Sequence, residues 1–166
     1  MQRAMSIFMV CLLVLATTPG FATSGAHFFH DTTASTSTSG PTKGALVITI
    51  DEAGVGQQSI SYSVTVNTAT ATYACINGGG NHPQAANKVT LSKQLSLPLG
   101  TFSPINGRVQ VSVTLIGTPL PKGDFSCPSG QSLVLADVSY SGITLTDTTN
   151  NVSTDLKDTG ATFFTI

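Results

Sequence analysis

From Ser59 to Val66 the chain alternates without exception, with Ser59, Ser61, Ser63 and Thr65 on one side and Ile60, Tyr62, Val64 and Val66 on the other. A period of two marks a strand that buries one face and wets the other. No stretch of the chain carries a helical period, so its core has to come from sheets. The same pattern sets Val109, Val111, Val113 and Leu115 against Arg108, Gln110, Ser112 and Thr114, and places Ala69, Ala71, Tyr73 and Cys75 opposite Thr70, Thr72 and Ala74. Val89, Leu91, Leu95 and Leu97 alternate with an interruption at Lys93, whose inward phase marks an edge strand or a bulge. Gly44 to Ile50, Ser132 to Tyr140, Ile143 to Thr146 and Ala161 to Ile166 supply further short apolar runs, the last keeping its phenylalanines from water.

The breaks between these runs predict the connections. Asn67-Thr68 separates two alternating stretches and reads as a tight hairpin turn. Asp51 to Gly56 reads as turn residues, Gly117 to Gly130 as a proline-rich loop, and the phase change at Ser141-Gly142 as a kink or bulge. Seven or eight short strands at near-regular spacing argue for one antiparallel all-β domain, a two-sheet sandwich or a barrel, with the sandwich preferred. It is immunoglobulin-like at most. The chain has no Trp, and Tyr73, although placed two residues before a cysteine as in a tyrosine corner, precedes the first cysteine rather than the second.

The N-terminus reads as an export signal. Arg3 gives a basic start, Ile7 to Ala16 is an uncharged apolar run, and Pro19-Gly20 breaks it ahead of small residues. Cleavage is expected after Ala22, with Ala26 as the second candidate. The run is too short to cross a bilayer as a stable helix, and Cys11 lies inside it without the small residue before it that lipidation needs. The expected organisation is a signal peptide over residues 1–22, a polar extended lead-in over 23–43 that includes the aperiodic Asp31 to Lys43, and a β-sandwich over 44–166, secreted to the outside of the cell. About 144 residues remain after cleavage, enough for one domain with a real core.

Of seven basic and eight acidic residues only Arg3 lies in the signal, which leaves six against eight, or −2 with neutral histidines. The remaining lysines and Arg108 are scattered, and a chain that binds nucleic acid must cluster them against phosphates. Charged residues are only 9% of the chain, so hydroxyls and amides solvate its surface. Two cysteines, Cys75 and Cys127, survive cleavage, and an isolated pair in an oxidising compartment reads as a disulfide.

Candidate chemistry is sparse. The loop from Asn77 to Asn87 groups Asn77, Asn81, His82, Gln84 and Asn87 around Gly78-Gly79-Gly80, and amides near a glycine-rich tip can bind a sugar or a protein; a solvated loop is the plainer reading. The glycines lack the Gly-Lys-Ser/Thr of a phosphate cradle. His27-Phe28-Phe29-His30-Asp31 has the composition of a metal clip, and cleavage after Ala26 would expose His27 as an amine-imidazole copper chelate, but no third ligand is fixed by the sequence. Asp147, Asn150, Asn151, Asp155 and Asp158 could offer oxygens to calcium, though their spacing matches no EF-hand and a polar turn is the simpler account. There is no nucleophile elbow, and Glu52 is the only glutamate. No cofactor is expected.

The segments EAGVG (Glu52 to Gly56), YACINGGGNHPQAANK (Tyr73 to Lys88), FSCPSGQ (Phe125 to Gln131) and LTDTTN (Leu145 to Asn150) resemble elements of a family of small secreted bacterial and fungal proteins. The resemblance implies export and a disulfide context and brings no activity and no assigned residues. The expectation is a secreted binding, surface or structural module directed at a glycan or another exported protein. The alternative is a small secreted enzyme or copper-binding protein.

Overall fold

The computed structural model describes residues 25–77, 87–116 and 120–166. Among them nine strands run in chain order: β1 (His27–Phe28), β2 (Thr33–Thr36), β3 (Leu46–Ala53), β4 (Ile60–Asn77), β5 (Lys88–Phe102), β6 (Arg108–Leu115), β7 (Gln131–Asp147), β8 (Val152–Leu156) and β9 (Thr159–Thr162). All pairings are antiparallel. One sheet places β1 and β2 end to end along one side of β3 and β6 along the other; the second has the order β5-β4-β7, with β8 and β9 both lying along β7. Leu46, Ile48 and Ile50 from the first sheet meet Val64, Val66, Tyr140, Ile143 and Leu145 from the second in one apolar core. Each of these is the inward member of an alternating pattern, so the two sheets close face to face as a sandwich. On the outer face, hydroxyls pair across strands, Thr70 with Ser92 and Thr72 with Thr90 at 3.0 Å and Ser61 with Thr101 at 2.8 Å, which is how a surface so poor in charge satisfies its polar groups.

Three expectations need correcting. Asn67-Thr68 is not a hairpin turn: β4 runs straight through it as one 18-residue strand, with a register shift against β5 there and an unbroken register against β7. A bulge and a two-residue turn both break an alternation by one phase, so the sequence signature is shared. The partner strand decides between them, because Gly142, at φ +61°, stands against Asn67, and a Cβ built on it would lie 2.5 Å from the Asn67 side-chain nitrogen. The phase change at Ser141-Gly142 lies opposite this irregularity on β7. Asp51 and Glu52 are not turn residues either, since β3 extends through both and buries them. Finally, the polar lead-in is extended as its composition implies, but it is hydrogen-bonded. β1 and β2 complete the edge of β3, and the Thr32 hydroxyl, itself buried, both donates to the Asp51 carbonyl and accepts from the Asp51 amide. Polar side chains do not prevent a backbone from pairing with an open edge.

Lys93 lies on β5, an outermost strand, opposite Ala69 at the bulge, as its phase required. At the C-terminus the closing strand is Thr159–Thr162, while Phe163 and Phe164 lie beyond it with the Lys43 ammonium over both rings at 4.3 and 5.0 Å.

Candidate functional site

The disulfide joins Cys75 and Cys127, with Cα atoms 5.5 Å apart across a sequence separation of 52. Cys75 is buried near the end of β4. Around it the base of the amide-rich loop is locked. The Cys75 amide donates to the Asn87 carbonyl at 3.0 Å, the Asn87 side-chain amide donates to Gln131 at 3.2 Å, and Gln131 in turn donates to the Asn77 side-chain oxygen at 3.0 Å. Sequence patterning does not single out Gln131, because nothing in its neighbourhood announces that β7 starts beside β4. Asn77 and Asn87 are thereby committed to each other through Gln131. Asn81, His82 and Gln84 lie outside the described residues. Tyr73 closes the same corner, its hydroxyl donating to the Leu120 carbonyl at 2.7 Å.

A different region gathers groups that sequence patterning does not connect. Asp51 of β3 stands opposite Gln110 of β6, and Arg108 donates to both of its oxygens, at 2.7 Å from Nε and 2.5 Å from the terminal nitrogen. Gln110 adds a third bond at 3.2 Å. The Arg108 guanidinium holds the Asp51 carboxyl below its ordinary range against the opposing effect of burial, and the bond to Asp51 raises Arg108 in return. The guanidinium also covers the Phe29 ring at 4.7 Å. Beside it a groove of about 590 Å³ is lined by Phe102, Ile105, Asn106, Val109 and Val111 among others. Ile105 at its rim is 78% exposed and Ile116, just past the end of β6, is 85% exposed.

Among the described residues no strand closes the sandwich beside this groove. β5 and β6 are outermost strands of the two sheets, and the inward residues Val111, Val113 and Leu115 of β6 are only half-buried, whereas Leu46, Ile48 and Ile50 on the paired β3 are fully buried. On the far side the corner is closed, Thr36 of β2 meeting Thr159 of β9 at 3.1 Å.

A third cluster is internal. Glu52 is 0% exposed, and its Oε2 accepts from the Tyr62 hydroxyl at 2.7 Å while its Oε1 has no partner among the described residues. Asp147, also buried, adjoins it and accepts from the Thr149 and Asn150 amides at 2.7 and 3.0 Å and from the Asn150 side chain at 2.6 Å. Burial pushes Glu52 up to about 7, against the Tyr62 bond, and the negative charge of Asp147 adds to the rise. Burial also pushes Tyr62 up. Protonated, Glu52 turns Oε1 from an unsatisfied acceptor into a donor with Asp147 as its acceptor. The Tyr62 ring that bonds Glu52 neighbours Phe28 at 6.4 Å and Phe102 at 6.1 Å.

The other candidates separate. His27 Nδ1 donates to the Gly25 carbonyl at 2.6 Å and the ring packs edge-on to Phe29, while His30 pairs with Asp31 in solvent. Asp155 and Asp158 turn to Thr144 and to the Gly142 amide, away from Asp147. Among the described residues no three His, Cys, Asp or Glu side chains converge as a metal would need, and no helix is long and apolar enough to cross a membrane. No family model, no curated protein and no solved structure matches this chain.

Proposed function

We propose that this chain works outside the cell as a non-catalytic binding and structural module, a disulfide-stapled sandwich, immunoglobulin-like at most, that meets another protein through its open side. The observation that carries the reading is the apolar, charge-neutralised surface between β5 and β6: exposed Ile105 and Ile116, half-buried valines on β6, and a groove whose lining arginine is already bound to Asp51. Exposed apolar side chains at both ends of β6, with half-buried valines between them, are the kind of surface that protein contacts bury. Export is supported by the basic, apolar and small-residue order of the first 22 residues and by the disulfide. A glycan reading of the Asn77 to Asn87 segment has less behind it, because Asn77 and Asn87 spend their side chains on Gln131.

The test places a cysteine at Ile105 and compares its maleimide labelling on dilute purified protein with labelling on the chain in the medium or at the surface of the cells that make it. Protection in the native setting supports a protein partner on the open side. Equal labelling in both settings, or specific binding on a glycan array that survives Ile105→Lys, counts against it.

A further inference from the structure

We infer that the occupant of the open side is a second copy of this chain, joined edge to edge through β6 about a two-fold axis at Ser112. The inference deepens the protein-surface reading above and rests on it. Native sheets guard their outer strands with lysine, proline or cover. Here β5 carries Lys88, Lys93 and Pro98, and β2 and β9 cover each other, but β6 reads RVQVSVTL, with no proline, no lysine and one charge, Arg108, that Asp51 neutralises. Two copies of this strand therefore meet without repulsion.

The backbone identifies which groups are open. Asp51 directs both its amide and its carbonyl toward Thr32 and Phe29, away from β6, so its partner Gln110 likewise points away from β3. Arg108 shows the same phase, exchanging both backbone bonds with Ile105. By alternation the N–H and C=O of Gln110, Ser112 and Thr114 face an edge along which none of the described strands lies, and Ile105 caps that edge at Arg108. Ser112 is the middle of the open stretch. A dyad there pairs Gln110 with Thr114 of the second copy and Ser112 with its own equivalent, which satisfies all six open groups on each chain. It also sets Val111 against Val113 on the inward face, so the half-buried valines cover one another. Past Thr114 each chain carries Ile116 toward the other's groove at Phe102, Ile105 and Val109, placing an 85% exposed isoleucine against an apolar hollow. A contact of this isologous kind closes on itself and stops at two.

Sedimentation of the purified mature chain over a concentration series tests it. The wild type is expected at twice the monomer mass. Ser112→Pro is expected at the monomer mass with an unchanged circular dichroism spectrum, since the amide it removes faces the free edge and proline is tolerated there. Ile116→Lys, which leaves the strand backbone alone, is expected to weaken the dimer as well. Ser112→Cys is expected to yield a disulfide-linked dimer on oxidation, because opposite hydrogen-bonded residues sit at about 5.5 Å, within disulfide reach. A wild type that is monomeric throughout, a dimer indifferent to both Ser112→Pro and Ile116→Lys, or no cross-link in the Ser112→Cys variant would overturn the inference. A monomeric wild type that is nonetheless protected at position 105 in its native setting would overturn the dimer and leave the protein-binding reading standing.

Discussion

Glu52→Gln should abolish a fall in stability that the wild type suffers between acid and neutral pH. In the folded chain the Glu52 carboxyl, with no exposed surface, keeps its proton up to about pH 7, whereas an unfolded glutamate loses it near 4.5. Between those values the folded state binds more protons than the unfolded state, so stability is fully present below about 4.5 and drains away as pH rises through about 7. At 1.36 kcal/mol for each tenfold change, the interval is worth about 3 kcal/mol, an upper bound because water can enter once the charge forms. Glutamine keeps the shape, accepts the Tyr62 hydrogen bond through its oxygen and offers an N–H toward Asp147, yet does not titrate. Asp51 works in the opposite sense, its depressed carboxyl losing stability only as pH falls below the ordinary carboxylate range, so it leaves this window clear. Urea unfolding of both proteins at half-unit steps from about pH 4.5 to 8 is the assay. The two should agree at about pH 4.5 and diverge by up to about 3 kcal/mol above about pH 7, with the variant the more stable. Parallel curves would refute a proton held between Glu52 and Asp147.

Tyr62→Phe removes the donor at Glu52 Oε2 and should cost about 1–3 kcal/mol; because that bond holds the Glu52 value down, the same urea series should show the fall displaced to higher pH. Gly142→Ala forces a side chain onto a residue at φ +61° and against Asn67, and should cost about 1–2 kcal/mol in backbone strain alone, with Asn67→Gly restoring only the part due to the clash. Replacing Cys75 and Cys127 together by alanine opens a loop of 52 residues and should lower unfolding free energy by about 4 kcal/mol in urea, with faster hydrogen exchange at the Cys75 amide as its bond to Asn87 loosens.

Alternation alone was enough to reveal an antiparallel all-β domain, with a sandwich preferred over a barrel. Burial of one strand face is a local property, written every second residue, so Val64, Val66, Val109 and Ala71 announced their inward phase before any partner was known. The pairing of Cys75 with Cys127 was legible too, from cysteine count and spacing, as was the edge position of Lys93 from its phase. What sequence could not decide was whether a break in alternation turns the chain or bulges it, since Asn67-Thr68 has the same appearance either way until Gly142 is set across from it. Nor could it decide which polar residues would be buried. Asp51-Glu52 next to Gly54 resembles a turn by composition. Only the arrival of Arg108 from β6, Tyr62 from β4 and Asp147 from β7 supplies the hydrogen bonds that let those two carboxyls leave water. The cost of burying a charge is met by partners distant in sequence, and their convergence is a property of the packed sheets. The open edge of β6 belongs to the same class: a strand reads alike whether or not a neighbour lies beside it, and tertiary structure determines that Gln110, Ser112 and Thr114 face outward.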